Sequence, residues 1–144
     1  MIEKWVYWLG FFFQAEDGIR DLVRSRGLGD VYRETGLAHN GNLTNSKALA
    51  RELFHAEMRH LNTDSDSEVL LNIFAHELGK QRAILPSTKH FFQAVKKTHS
   101  RCHGAYAVLA LITGFGLLAF RDPRGIRPLV IGEKQGKTKK EYII

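Results

Sequence analysis

Residues 105–112, an unbroken run of apolar side chains, constrain the fold more than any other stretch of this chain. Successive side chains of a strand point to opposite faces of the sheet, so a run that is apolar at every position predicts a strand buried on both faces. Residues 115–120 predict a second strand after a turn at Thr113 and Gly114, and residues 127–131 predict a third strand after a further turn.

Three helices are predicted before these strands. The first starts after Thr44, with apolar residues at helical spacing, and ends near residues 60–62. Ser65 and Glu68 have the spacing of a capping box and predict a second helix that Gly79 closes. Residues 88–101 predict a third helix, whose inward side chains are Phe91, Phe92 and Val95. Helices followed by antiparallel strands indicate a layered α+β fold.

Residues 37–45 join an apolar strand end to a polar turn at Asn40 and Gly41 and then to a helix start. Glycine has no Cβ, so its amide can approach a ligand closely, and the neighbouring Asn side chain adds a second donor for developing negative charge. We therefore take Asn40 and Gly41 as a candidate oxyanion hole. The alternative interpretation is an ordinary Asn-Gly turn.

Asp66 falls in the first turn of the second helix. A carboxylate there is stabilised by the helix dipole, and this structural role is the simpler interpretation. Asp64 and Glu68 flank it at alternate positions, as in a calcium loop. The glycine and the later ligands of such a loop are missing, so we predict no metal site.

Residues 38–45, 62–68 and 120–129 together resemble the glutaminase domain of the glutamine phosphoribosylpyrophosphate amidotransferases. The resemblance covers about residues 35–144 and implies an incomplete αββα sandwich of the N-terminal-nucleophile hydrolase type. It implies that Asn40 and Gly41 hold the oxyanion and that Asp66 binds the α-ammonium group of glutamine.

For an intact protein the same resemblance implies transfer of the glutamine amide nitrogen to phosphoribosyl pyrophosphate, the first reaction of purine synthesis. It also implies a phosphoribosyltransferase domain that uses Mg²⁺, and a homo-oligomer. Two alternatives stay open. One is another class II glutaminase, of the glucosamine-6-phosphate synthase type, and the other is a non-catalytic module that binds a ligand or a partner domain.

The sequence pattern of residues 1–34 differs from that of the rest of the chain. The apolar residues 5–13 are too few to span a bilayer, for which about 20 are needed. Residues 14–32 resemble a string that recurs at the ends of unrelated conceptual translations, where adapter DNA has been read as protein. We expect residues 1–34 to be foreign to the domain and to pack poorly on its core.

The nucleophilic N-terminal cysteine and the substrate-clamping arginine segment of the family have no counterpart here, so we expect the chain as written to be inactive.

The amino-acid composition limits the cellular compartment and the kinds of partner that we expect for this chain. Cys102 is the one cysteine of the sequence, which excludes an intramolecular disulfide and favours a reducing, cytoplasmic setting. An apolar strand follows it, so we predict a buried structural thiol.

The net charge of +6 comes largely from lysines near the C-terminus without interleaved aromatic residues, so we predict neither a nucleic-acid partner nor a membrane partner. The seven histidines do not match the ligand spacings of metal sites, and in this chain we predict no cofactor.

Overall fold

The computed structural model describes residues 7–9, 35–81, 86–112, 115–136 and 140–144. Their helices and strands, in chain order, are β1 (Tyr7–Leu9), β2 (Thr35–Leu43), α1 (Ser46–Glu57), α2 (Asp66–Gly79), α3 (Thr88–Arg101), β3 (Gly104–Ile112), β4 (Gly116–Arg121), β5 (Gly132–Gln135) and β6 (Lys140–Ile143). The predicted α+β class is therefore confirmed.

Four strands form one antiparallel sheet in the order β1-β4-β3-β2, and β5 and β6 form a separate hairpin. Among the described strands, β2 lies at one edge of this sheet. It pairs along its whole length with β3, from Thr35 opposite Ile112 to Leu43 opposite Gly104.

The helices cover one face of the sheet. Tyr106, Val108 and Ala110 of β3 point into a core shared with α2 and α3, and all three are fully buried. On the other face, Leu111 is 54% exposed and Leu109 is half-buried. The prediction that β3 is buried on both faces is thus correct for one face and only partly correct for the other, because the described helices form a single layer.

Of the first 34 residues, the structure describes Tyr7–Leu9, which lie in this sheet. Tyr7–Leu9 pairs with β4 through residues 117–119. The predicted foreign character of residues 1–34 stays a prediction, and most of that segment lies outside the described residues.

Two predicted boundaries are wrong. α1 ends at Glu57 instead of residues 60–62, because Met58 adopts the left-handed conformation (φ 53°) and its amide bonds back to the carbonyl of Leu53. Residues 127–131 are not a strand. The chain pairs again only from Gly132, so the predicted polar loop of residues 133–140 contains most of β5.

The predicted turn at Asn40 and Gly41 is also wrong, since β2 runs straight through both residues and turns only at Thr44 and Asn45. Glycine is needed at position 41 for another reason. Its φ is +147°, and a Cβ there would collide with the carbonyl oxygen of Ala105 and lie 2.7 Å from the Cα of Tyr106. The missing side chain lets β2 and β3 approach each other closely.

Gly41→Ala is therefore expected to lower the free energy of unfolding by about 2–5 kcal/mol, through backbone strain and overpacking against β3. Gly36→Ala is the matched control, because Gly36 lies in the same strand and a Cβ there would meet nothing within 4 Å. Urea unfolding followed by circular dichroism measures both. Equal free energies of unfolding for the two variants would show that the fold does not require the close approach of β2 and β3 at Gly41.

Candidate active site

Backbone amides at the C-terminal end of β2 and in the turn after it face two directions. The amide of Thr44 donates to the carbonyl of His103, on the side of β3, at 2.8 Å. The amide of Leu43 points the other way and donates to Oδ2 of Asp66 at 2.7 Å. Because amide directions alternate along a strand, the amide of Gly41 belongs to the same open edge as that of Leu43, roughly 7 Å away along the strand.

Asp66 is the first residue of α2, and its neighbours build the loop before the helix. Ser65 is the N-cap, and its side chain accepts from the amide of Ser67 at 3.3 Å. Glu68 does not complete a capping box. Its carboxylate accepts from the amides of Asn62 and Thr63, both at 2.7 Å. Partial burial alone would raise the pKa of Glu68, but these hydrogen bonds hold it below 4.5.

His39 joins β2 to α2 beside Asp66. Its Nδ1 lies 3.1 Å from Oγ of Ser67, whereas Nε2 is buried and has no hydrogen-bond partner among the described residues. Burial lowers the pKa of His39 below 6.5, the charge of Asp66 opposes this shift, and the charge of Arg127 adds to it. The imidazole is therefore neutral at neutral pH.

Asp122 organises the loop that brings Arg127 to this site. It is 2% exposed, and its carboxylate accepts from the amides of Arg124, Ile126 and Arg127, each at 3.1 Å. Its own amide donates to the carbonyl of Tyr106 at 2.7 Å. Within residues 127–131, the amide of Arg127 donates to this carboxylate and Pro128 has no amide hydrogen, so the start of the predicted strand lacks two of the donors that strand pairing would use.

Asn45 connects the turn after β2 to the segment between α3 and β3. Its side-chain oxygen accepts from the amide of His103 at 2.9 Å, and its side-chain nitrogen donates to the carbonyl of Arg101 at 2.8 Å. Asn45 therefore does not cap its own helix, although it precedes α1. It instead fixes the turn after β2 to the connection between α3 and β3.

Cys102 is buried, as predicted, with 3% of its surface exposed. Burial raises the pKa of its thiol to about 12, against the smaller opposing effect of Arg101. The thiol is therefore protonated at neutral pH and unsuited to nucleophilic attack.

The structure brings the start of α2 to the outer edge of β2, whereas the Asp122 loop follows β4 on the other side of β3. From that loop, the charge of Arg127 acts on His39. Asp66 lies beside the edge of β2 that holds the amide of Gly41, while the side chain of Asn40 is exposed on the sheet face opposite His39. Sequence reasoning missed His39, Ser67 and Asp122. The Asp-Pro-x-Gly spacing after β4 is a turn signal that could have identified Asp122.

The comparison with solved structures assigns the fold. A structure of glutamine phosphoribosylpyrophosphate (PRPP) amidotransferase from B. subtilis, complexed with ADP and GMP, superposes with a TM-score of 0.52 at 30% sequence identity. The match covers 72% of this chain and 20% of that chain. The fold is that of an N-terminal-nucleophile hydrolase, as predicted, and the described residues form part of its sandwich.

Residues 29–140 match the family described as "Glutamine amidotransferase domain". This match covers well over half of the sequence, and the chain belongs to that family. It is 53% identical over 108 residues to the amidophosphoribosyltransferase of Pseudomonas aeruginosa and 50% identical over 109 residues to that of Escherichia coli K12. Each alignment covers 75% of this chain and 22% of the relative, so the chain spans about a fifth of the length of these proteins.

The amidophosphoribosyltransferase of Schizosaccharomyces pombe is 48% identical over an alignment of 150 residues that includes 90% of this chain and 28% of the relative. An alignment of that extent reaches into the first 34 residues. None of the three described helices has the length and apolar character needed to cross a bilayer.

Asp122 makes the stability of the domain depend on pH. Burial alone would raise its pKa, but the amides of Ile126, Arg127 and Arg124 hold the pKa below 3.8. A lowered pKa in the folded state stabilises the protein above the pKa of the unfolded state, and this stabilisation is lost as the pH falls below about 4.

We expect Asp122→Asn to unfold with a free energy about 1.5–3 kcal/mol smaller at pH 7, since hydrogen bonds to a charged acceptor are lost. The difference from the unaltered protein should shrink as the pH falls from 5 to 3. Urea unfolding at a series of pH values measures it. Asp64→Asn, at an exposed loop position, is the control, and a pH-independent difference for Asp122→Asn would contradict the assignment.

Proposed function

We propose that this chain forms the glutamine-binding part of an amidophosphoribosyltransferase, in which Asp66 binds the α-ammonium group of glutamine. The observation that supports this proposal best is the hydrogen bond between Asp66 and Leu43 at the open edge of β2. It places a carboxylate next to outward-facing backbone amides. The other carboxylate oxygen, Oδ1, accepts no hydrogen bond from the described residues and is available to an ammonium group.

Asn40 and Gly41 would stabilise the oxyanion in this proposal. Attack on the side-chain amide of glutamine converts its carbonyl oxygen into an oxyanion, and donors aimed at that position lower the barrier. The edge amide of Gly41 is one such donor, and the exposed side-chain amide of Asn40 is the other. The spacing of roughly 7 Å between the amides of Gly41 and Leu43 is comparable with the length of a glutamine molecule.

The nucleophile is not among the described residues. In the family it is a cysteine at the mature N-terminus, and Cys102 cannot replace it because its thiol is buried and protonated. Ammonia released from glutamine would pass to phosphoribosyl pyrophosphate in the phosphoribosyltransferase part of the full-length protein, which we propose to be a cytoplasmic homo-oligomer.

Mg²⁺ would act in that phosphoribosyltransferase part. The residues that the structure describes contain no group of three His, Cys, Asp or Glu side chains arranged to hold a metal ion. They do not fit a Mg²⁺ site, and no step of glutamine hydrolysis is assigned to the ion here.

The names of the relatives favour this proposal over a glucosamine-6-phosphate synthase type of glutaminase, since the Pseudomonas, Escherichia and Schizosaccharomyces proteins are all amidophosphoribosyltransferases. The third possibility, a non-catalytic module, would use the same edge of β2 for binding alone. Measuring ammonia release from glutamine by a chain that carries the nucleophile distinguishes an enzyme from such a module.

Asp66→Asn tests the binding role, because asparagine retains an oxygen that can accept from the amide of Leu43 but loses the negative charge. The unaltered chain should bind glutamine more tightly than 4-carbamoylbutanoate, which lacks the α-ammonium group. Asp66→Asn should weaken glutamine binding by about tenfold and abolish this preference, since roughly 1.4 kcal/mol is lost with the ion pair.

Isothermal titration calorimetry measures these affinities. Asp64→Asn removes an exposed carboxylate two residues away and should leave both affinities unchanged. Retention of the preference for glutamine in Asp66→Asn would return Asp66 to a purely structural role at the start of α2.

Asn40→Ala tests the oxyanion hole in a chain whose first 34 residues are replaced by the family's N-terminus with its cysteine. We expect kcat for ammonia release to fall by roughly 10²–10³, the usual effect of removing one oxyanion donor, with little change in KM. Asn42→Ala is the matched control, because Asn42 lies two residues further along the same exposed face of β2.

A glutaminase assay that detects ammonia measures both variants, and the chain as written is expected to release none. Equal effects of Asn40→Ala and Asn42→Ala would argue against a specific role for Asn40. Ammonia release by the unaltered chain that disappears in Cys102→Ala would overturn the assignment of Cys102 as a structural thiol.

A further inference from the structure

The first turn of α2 is attached to β2 at two points. Oδ2 of Asp66 accepts from the amide of Leu43 at 2.7 Å, and Oγ of Ser67 lies 3.1 Å from Nδ1 of His39. Consecutive side chains of a helix point about 100° apart, so Asp66 and Ser67 reach different residues of the strand. His39 and Leu43 are four residues apart, about 13 Å along an extended strand.

Gly41 lies midway between the two attachments. His39, Gly41 and Leu43 alternate along β2 and share one face of the strand, where each is less exposed than the residues between them. The attachment through Asp66 alone would leave the start of α2 free to pivot about Leu43. The second attachment, through His39, therefore fixes the distance between the carboxylate of Asp66 and the edge amide of Gly41.

The surroundings of His39 hold its imidazole in the neutral form. Nε2 is buried and has no hydrogen-bond partner among the described residues, and a protonated ring would leave a buried N–H unpaired there. Burial lowers the pKa of His39, the charge of Asp66 opposes this shift, and the charge of Arg127 adds to it. Asp66 and Arg127 are the charged groups that act on the ring from α2 and from the loop after β4. Val108, opposite His39 on β3, is apolar.

We propose that His39 is a positioning residue of the glutamine site: it sets the distance between Asp66 and Gly41 through Ser67, and it must be neutral for tight binding of the α-ammonium group. This inference rests on the proposed role of Asp66. A positive charge beside Asp66 would compete with the ammonium group for the carboxylate, whereas a neutral ring leaves the carboxylate available. Because Asp66 and Gly41 would bind the two ends of glutamine, their spacing also selects the length of the substrate.

Hydrogen exchange at the amide of Leu43, followed by NMR, tests the attachment without any ligand. This amide is protected while its bond to Asp66 is closed. Ser67→Ala and His39→Ala should each speed its exchange by about fivefold, the effect of losing one hydrogen bond. His39→Asn should exchange like the unaltered chain, because its side-chain amide can take the place of Nδ1. Ser46→Ala is the matched control, since Ser46 is the first residue of α1 and its hydroxyl bonds to no described residue.

Calorimetry with glutamine at two pH values tests the requirement for a neutral ring. From about pH 7.5 to about pH 5, the affinity of the unaltered chain for glutamine should fall by about threefold, the size of the effect of one partly exposed charge on another. In His39→Asn the affinity should be equal at both pH values, since asparagine does not titrate. Six of the seven histidines remain in that variant and serve as an internal control.

Free asparagine, which is one methylene shorter than glutamine, tests the spacing. The unaltered chain should bind glutamine more tightly than asparagine, since one methylene is worth about tenfold or more in a fitted site. Ser67→Ala should narrow this preference, whereas His39→Asn and Ser46→Ala should retain it. Circular dichroism verifies that all variants fold.

Unchanged exchange at Leu43 in both Ser67→Ala and His39→Ala would overturn the positioning role. An equal loss of affinity at low pH in the unaltered chain and in His39→Asn would overturn the requirement for a neutral ring, because another group would then be titrating. The inference and the proposed function fail differently. Retention of the preference for glutamine over 4-carbamoylbutanoate in Asp66→Asn, or absence of glutamine binding, refutes the glutamine site and with it the role of His39 in binding. A charge-dependent Asp66 site with unchanged exchange at Leu43 refutes the role of His39 alone.

Discussion

The close approach of β2 to β3 at Gly41 is the constraint on which the site depends. No side chain fits between Gly41 and the backbone of Ala105 and Tyr106. The tight pairing makes β2 a straight edge strand whose outward amides keep a regular spacing. It also positions Tyr106, whose carbonyl accepts from Asp122 on the other side of β3. The absence of a side chain at Gly41 therefore affects three features: the position of the edge amides of β2, the position of β3, and the anchoring of the Asp122 loop to Tyr106.

Two carboxylates fix the polar segments onto this frame in the same physical way. Asp66 and Asp122 both accept hydrogen bonds from backbone amides, one at the edge of β2 and one inside a loop after β4. Amide donors are already oriented by the backbone, so they stabilise a carboxylate without the entropy that a long basic side chain would lose. Arg127 lies at the surface near His39. Burial lowers the pKa of the imidazole, the charge of Asp66 opposes this shift, and the charge of Arg127 adds to it.

Fold class, the three helices and the strands β3 and β4 were predictable from the sequence because each follows from local periodicity. The errors occurred where a specific hydrogen-bond partner, near or far along the chain, replaced the structure that composition predicts. Asn40 and Gly41 have the composition of a turn, yet pairing with β3 keeps them extended. Residues 127–131 have strand composition, but the amide of Arg127 donates to the carboxylate of Asp122 and Pro128 has no amide hydrogen to donate. Glu68 reaches back to Asn62 and Thr63 instead of closing its own helix turn.

The sequence by itself indicated Asn40 and Gly41 as donors and placed the carboxylate of Asp66 in the first turn of a helix, whereas the glutamine-binding role of Asp66 came from the resemblance to the family. Only the tertiary structure decided how they relate in space. Asp66 is 23 residues from Leu43 along the chain, and their hydrogen bond exists only because α2 packs against the edge of β2. Likewise, the electrostatic effect of Arg127 on His39 joins residues that no periodicity connects. Periodicity reports the orientation of side chains within one element, whereas contacts between elements depend on packing of the whole chain.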